Sequence, residues 1–158
     1  MIEPPAMRDK KGEKYLTHFF CKSHIPEAYL ERRQTRTGYI NVSCPELTIV
    51  DLLTYQAKTG SVSRAATILA ELVEKLDFGR LGADFVKEVP VTSLQRLGYI
   101  LDEVLEEGKT ADSVYGLLKC SGHVLQYVPL KTGKSSESCQ RNAKWKIIVN
   151  ETIEIDEL

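Results

Sequence analysis

Between Ser61 and Phe78 the chain reads SVSRAATILAELVEKLDF, and Val62, Ala65, Ala66, Leu69, Leu72, Val73 and Leu76 recur at the spacing of one helical face. A stripe that long must be buried against something, so the chain has to build a layer around a central helix. The flanks follow a different rhythm. KYLTHFFCK (14–22), AYLERRQTR (28–36) and GYINVS (38–43) carry β-favouring residues, with Thr37-Gly38 as a turn signal between the last two. HVLQYVPL (123–130) and KWKIIVN (144–150) are strand-like again, separated by the polar loop KTGKSSESCQRNA.

Further helices surround the central one. Ser43 to Tyr55 reads as a helix that Thr59-Gly60-Ser61 separates from the next. DFGRLGADFVKEV suggests a short helix weakened by Gly79 and Gly82, and Pro90 stands where a proline suits a helix start. VTSLQRLGYILDEVLEE places Leu94, Leu97, Leu101 and Val104 or Leu105 on one face, with Gly108 as its stop, and TADSVYGLLKC follows as another short helix. Strands, a helical block and then strands predict an α+β fold: a mixed β-sheet from the N- and C-terminal strands, packed against a central block of four to five helices. Residues 1–12 read as a flexible N-terminal segment, 13–150 as a single domain and 151–158 as an acidic tail.

With 158 residues, 42% hydrophobic and 27% charged, the chain has material for one real core, which argues against wholesale disorder. A net charge of −1 gives the whole chain no pull on nucleic acid or anionic membrane. The start, MIEPPAMRDKKGEKY, has no apolar segment of a signal peptide, and no stretch approaches a membrane span. Cys21, Cys44, Cys120 and Cys139 are widely spaced and fit reduced, mostly buried thiols, which makes a cytoplasmic location the expectation.

Residues 43–53, SCPELTIVDLL, place carboxylates beside an apolar run. Ser43 and Glu46 have the S-x-x-E spacing of a capping box, with Pro45 in the first helical turn. Asp51 lies one turn beyond Leu47; it is either a structural residue with an ionic partner or a metal ligand or base. Metal-dependent nuclease chemistry would need a second acid spaced E-x-K on a strand. The candidates, Asp9-Lys10-Lys11 and Glu107-Gly108-Lys109, fall in a chain end and at a helix stop. His18, His24 and His123 lack metal-helix pairing, and GKSSES (133–138) lacks the upstream glycine of a phosphate loop. No catalytic residues, metal or cofactors are expected.

Basic residues gather locally: eight Lys or Arg against four Asp or Glu from Arg8 to Arg36, and five against one from Lys131 to Lys146. If both segments share a sheet, Arg32, Arg33, Arg36, Lys144 and Lys146 form a positive face for phosphate contact; the alternative is a solvated, charge-balanced surface.

SCPELTIVDLL, GSVSRAATILAELVEKLDFGRL, VTSLQRLGYILDEVL and KWKIIVN follow one another in an order that resembles the second domain of the AbiEi family, antitoxins of type IV toxin–antitoxin systems named for phage abortive infection. The resemblance runs from about residue 13 to 150. It singles out Ser43, Glu46, Asp51, Arg96 and Gly98 as signature residues, with Gly98 expected to admit close approach by another element. It implies a bacterial antitoxin, normally coupled to a promoter-binding winged helix that this chain does not contain. It also implies a nucleotidyltransferase-like toxin as functional partner, countered without a stable complex. An accessory DNA-binding domain, contacting phosphates through the basic face, is the alternative.

Overall fold

The computed structural model describes residues 24–155 and, upstream, two short strands, Met7–Arg8 (β1) and Lys14–Tyr15 (β2), paired antiparallel. The expectations for a flexible 1–12 segment, a strand over 14–22 and the end of the acidic tail lie wholly or partly outside the described residues. A 3₁₀ turn at Glu27–Tyr29 leads into β3 (Leu30–Thr35), which pairs with β4 (Gly38–Ser43) as an antiparallel hairpin. Gly38 turns the corner at φ +141°, a conformation that side chains disfavour, and the Thr35 hydroxyl donates to its carbonyl at 2.9 Å.

The helical block follows: α1 (Pro45–Thr54), the single turn α2 (Gln56–Thr59), α3 (Val62–Leu72), α4 (Ala83–Glu88), α5 (Val91–Tyr99) and α6 (Gly108–Cys120). The first part of the predicted stripe is buried: Val62, Ala65, Ala66 and Leu69 of α3 pack with Leu47, Val50 and Leu53 of α1, Leu94 and Leu97 of α5, and Val114 and Leu118 of α6 in one core. Leu72, Val73 and Leu76 are half-buried, because α3 ends at Leu72 in a 3₁₀ turn at Val73–Lys75. Ser61 caps α3, its hydroxyl accepting from the Arg64 N–H at 3.0 Å, and Pro90 precedes α5 as expected. Tyr29 and Phe78 meet the Phe85 ring edge-on at 4.9 and 6.4 Å, which ties the hairpin root to the block.

The chain closes with a small three-stranded sheet of β5 (Val128–Pro129), β6 (Gln140–Asn142) and β7 (Ile147–Val149). The order is β5-β7-β6, with β5 parallel and β6 antiparallel to the central β7. The α+β class is as expected, but N- and C-terminal strands do not join in one mixed sheet. Among the described residues they form separate sheets at different places on the block. The reason is visible in β3, whose residues alternate poorly: the hairpin offers no apolar face to extend, whereas Ile147 of β7 is fully buried against the helices. β6 escapes sequence detection because Gln140-Arg141-Asn142 is a polar edge strand.

Three local expectations are corrected. The capping box does not form. Ser43 stays extended as the last residue of β4, opposite Leu30, so the cap position passes to Cys44 and Ser43 Oγ hydrogen-bonds Thr48 Oγ1 at 2.7 Å. Gly108 starts α6 instead of stopping the preceding helix. A π turn at Ile100–Val104, closed by Leu105 N–H to the Ile100 carbonyl at 2.9 Å, ends that helix, and Glu106 takes the left-handed position at φ 57°. The described cysteines are free, but only Cys44 is buried; Cys120 is exposed and Cys139 half-buried.

Candidate functional site

The helix quoted as QRLGY, α5, is where the structure concentrates its buried polar chemistry. Two adjacent side chains of α5, Gln95 and Arg96, reach carbonyls of the C-terminal region. Gln95 donates from Nε2 to the carbonyls of Gln126 and Trp145, both at 2.9 Å, while 1% exposed. Arg96 donates from Nε to the Pro129 carbonyl at 3.0 Å. Burial lowers the Arg96 pKa from its ordinary value. From the other side Gln56 of α2 donates to the Leu130 carbonyl at 3.3 Å and accepts from Thr132 N–H at 3.4 Å. Amides aimed at carbonyls of irregular backbone are the means by which short strands, unable to satisfy themselves, are held on a helical surface.

Gly98 has the close approach expected of it. A Cβ there would lie 1.9 Å from Cζ3 and 2.3 Å from Cε3 of Trp145, whose ring is fully buried. The ring is anchored at both ends. Its Nε1 donates to Asp102 Oδ2 at 2.8 Å, and its face meets Tyr115 of α6 edge-on at 5.4 Å. The π turn presents the next two carboxylates to the same sheet: Asp102 also accepts from Lys144 Nζ at 2.8 Å, and Glu103 accepts from Asn142 Nδ2 at 2.8 Å. Burial pushes the Asp102 pKa up, but the hydrogen bonds from Lys144 and Trp145 outweigh it and hold the carboxyl below the usual carboxylate value.

Glu46 is the second buried charge. Its carboxylate is fully enclosed and accepts from the Asp77 N–H at 2.9 Å and from Arg80 Nη2 at 2.9 and 3.1 Å. Burial alone would raise its pKa. The backbone N–H donors, Cys44 and Arg80 together bring it below the ordinary value. The residue read as a local cap is thus a clamp reaching the 3₁₀ turn at Phe78–Arg80. Asp51 lies half-buried on α1. Among the described residues no group of three or more His, Cys, Asp or Glu is placed to hold a metal ion.

The five basic candidates are not brought together on one sheet. Arg32 and Arg33 lie on β3 and Arg36 in the hairpin turn, all exposed; Lys144 and Lys146 lie beside β7 in the other sheet. Arg32 stacks over the Tyr39 ring at 4.1 Å, and Arg33 is paired with Glu31. Lys144 is neutralised by Asp102, with Asp112 at 3.5 Å. On the Arg32 side of the hairpin a shallow cleft of ≈ 570 Å³ is lined by Ile25, Glu27, Leu30, Arg32 and Asn41. Sequence reasoning passed over Gln56, Gln95 and Trp145. A glutamine on an apolar helical face and the chain's one tryptophan were the available signals, but neither names its partner.

Among the described residues no helix is long and apolar enough to cross a membrane. No curated protein and no solved structure matches the chain. The profile of one family, the AbiEi antitoxin C-terminal domain, matches residues 15–103, from β2 to the π turn, and stops short of KWKIIVN, to which the resemblance in sequence had extended. That match covers more than half of the chain, which therefore belongs to the AbiEi antitoxin C-terminal domain family and has an antitoxin role in a toxin–antitoxin system.

Proposed function

We propose that the chain is the non-enzymatic antitoxin domain of a type IV system, acting in the bacterial cytoplasm to counter a nucleotidyltransferase-like toxin without holding it in a stable complex, and normally coupled to a promoter-binding winged helix. The observation that carries this reading is the family match over residues 15–103, which takes in the hairpin and α1 to α5. The buried polar contacts of Glu46, Gln95 and Arg96 support it by accounting for conspicuous residues through architecture rather than reaction chemistry. Co-expression with a nucleotidyltransferase gene found beside this one is the test. Growth rescue by this chain, with no complex surviving gel filtration, is the expected result. Rescue by a longer version carrying a winged helix, and none by this chain, would overturn it.

A second reading, an accessory DNA-contacting role, is favoured by one observation: Arg32 and Arg36 project from the hairpin without a carboxylate partner among the described residues. A two-stranded ribbon of this kind fits a major groove. Replacing Arg32, Arg33 and Arg36 with alanine abolishes a salt-dependent duplex shift if this reading holds and leaves it unchanged if it does not.

A further inference from the structure

Beyond residue 103 the C-terminal sheet carries a surface that packing does not use. Tyr127, one residue before β5, keeps 39% of its surface exposed. Two cations converge on its ring: the Lys146 ammonium lies 5.0 Å from the centroid and the Arg141 guanidinium 5.3 Å. The sheet register explains the convergence. Ile147 of β7 is buried against the helices, so residues paired with its neighbour Ile148 face outward, and Arg141 of β6 is opposite Ile148. Val128 of β5 is opposite Ile147, which brings Tyr127 beside Lys146 at the adjoining step.

The charge balance here differs from that of the surrounding surface. Lys131 and Lys134 are paired with Glu151, and Lys144 with Asp102 and Asp112. Among the described residues neither Arg141 nor Lys146 has a carboxylate within ion-pair distance; the aromatic ring is their partner. The stretch leading to Tyr127 is open as well, with Val124 89% exposed. An exposed ring beside two unneutralised cations offers a flat π surface and two phosphate contacts within one small area. An acidic peptide would use the charges and leave the ring idle, and a duplex hides its base faces. A single strand uses both.

We propose that the surface of Tyr127, Arg141 and Lys146 binds single-stranded nucleic acid, a base stacking on the aromatic and guanidinium planes while neighbouring phosphates meet the two cations. This site is separate from the hairpin and from the antitoxin reading, so either can fail without the other. The test is fluorescence anisotropy of a short labelled oligothymidylate titrated with the full chain over a range of salt. Two phosphate contacts on a single strand predict a slope of log affinity against log salt of about −1.4, at roughly −0.7 per contact. Tyr127→Ala weakens binding about tenfold or more and Tyr127→Phe retains it, because stacking needs the ring and not the hydroxyl. Arg141→Gln and Lys146→Gln each reduce the magnitude of the slope by roughly 0.7. Circular dichroism and unchanged Trp145 emission verify that the variants fold. The proposal is overturned by no binding at low salt, by indifference to Tyr127→Ala, by tighter binding of the matching duplex, or by polyglutamate competing as well as the oligonucleotide.

Discussion

Gly98→Ala probes the junction between α5 and the C-terminal sheet with one methyl group. On an isolated helix the change would be favourable by about 1 kcal/mol, because alanine is the better helix former. Here the new Cβ lies 1.9 Å from Trp145 Cζ3, with Cε3 and Cη2 both at 2.3 Å, so a rigid ring has to move by more than 1 Å, about the shortfall from ordinary carbon contact. The ring has little room to do so: it is fully buried, hydrogen-bonded to Asp102 and held against Tyr115. Overpacking in a close-packed interior costs typically about 1–3 kcal/mol, and a displaced indole that loses its acceptor adds about 1 kcal/mol more. Set against the propensity gain, a net loss of about 1–3 kcal/mol is expected, or roughly 2–12 °C in Tm for a chain of this size.

Trp145 is the only tryptophan, so its emission reports on the junction itself. Urea unfolding followed by far-ultraviolet circular dichroism and by fluorescence is the assay. Gly98→Ala should lower the midpoint and shift the native emission to the red. Combining it with Trp145→Leu should cost less than the sum of the two single changes, by about 0.5–3 kcal/mol, since the small side chain removes the clash. A neutral or stabilised Gly98→Ala would refute the reasoning and with it the docking of the sheet on α5.

Other consequences follow from the same buried groups. Glu46→Ala leaves the Asp77 N–H and Arg80 without their acceptor and should cost on the order of 3 kcal/mol, measured by chemical denaturation, whereas Glu71→Ala on the exposed side of α3 should fall within about 0.5 kcal/mol of the parent. Glu46 and Asp102 both have folded pKa values below their ordinary ones, so their stabilisation is fully present above the unfolded carboxylate range and is lost as pH falls through the lower folded values. Acid titration should therefore lower Tm progressively below about pH 4, and Glu46→Gln should flatten that dependence. Gln95→Leu removes the donor for the buried Trp145 carbonyl and the part-buried Gln126 carbonyl and should destabilise by roughly 1–3 kcal/mol in the same denaturation assay, an effect absent if those carbonyls are hydrated. A chain ending at residue 103, where the family match stops, should show no cooperative melt in calorimetry, because Gln56, Gln95 and Arg96 lose their partners and Gly98 loses the ring that fills its place.

Much of this was legible in the chain itself. The α3 stripe, the Thr59–Ser61 break, Pro90 ahead of α5 and the 30–43 hairpin are local: a hydrophobic period or a turn residue produces them within a dozen positions. Gly98 was legible as a close-approach residue for the same reason, since a glycine amid a helical pattern signals something packed upon it. Where short-range reasoning failed, a longer-range interaction had taken the residue. Glu46 has the spacing of a cap, yet an Arg80 and a backbone N–H thirty-odd residues away hold it in the interior. Gly108 looks like a helix stop, yet the π turn had already ended the helix so that Asp102 and Glu103 could meet the sheet.

Periodicity and turn chemistry were enough to specify the helical block and the hairpin ahead of it, because each depends on neighbours in the chain. The pairing of strands into separate sheets, the identity of the ring against Gly98 and the separation of the five basic candidates depended on which surfaces met. Those outcomes are decided by burial and hydrogen-bond satisfaction between residues up to ninety-one positions apart, as in Glu154 N–H to Ser63 Oγ, a distance along the chain at which local pattern carries no information.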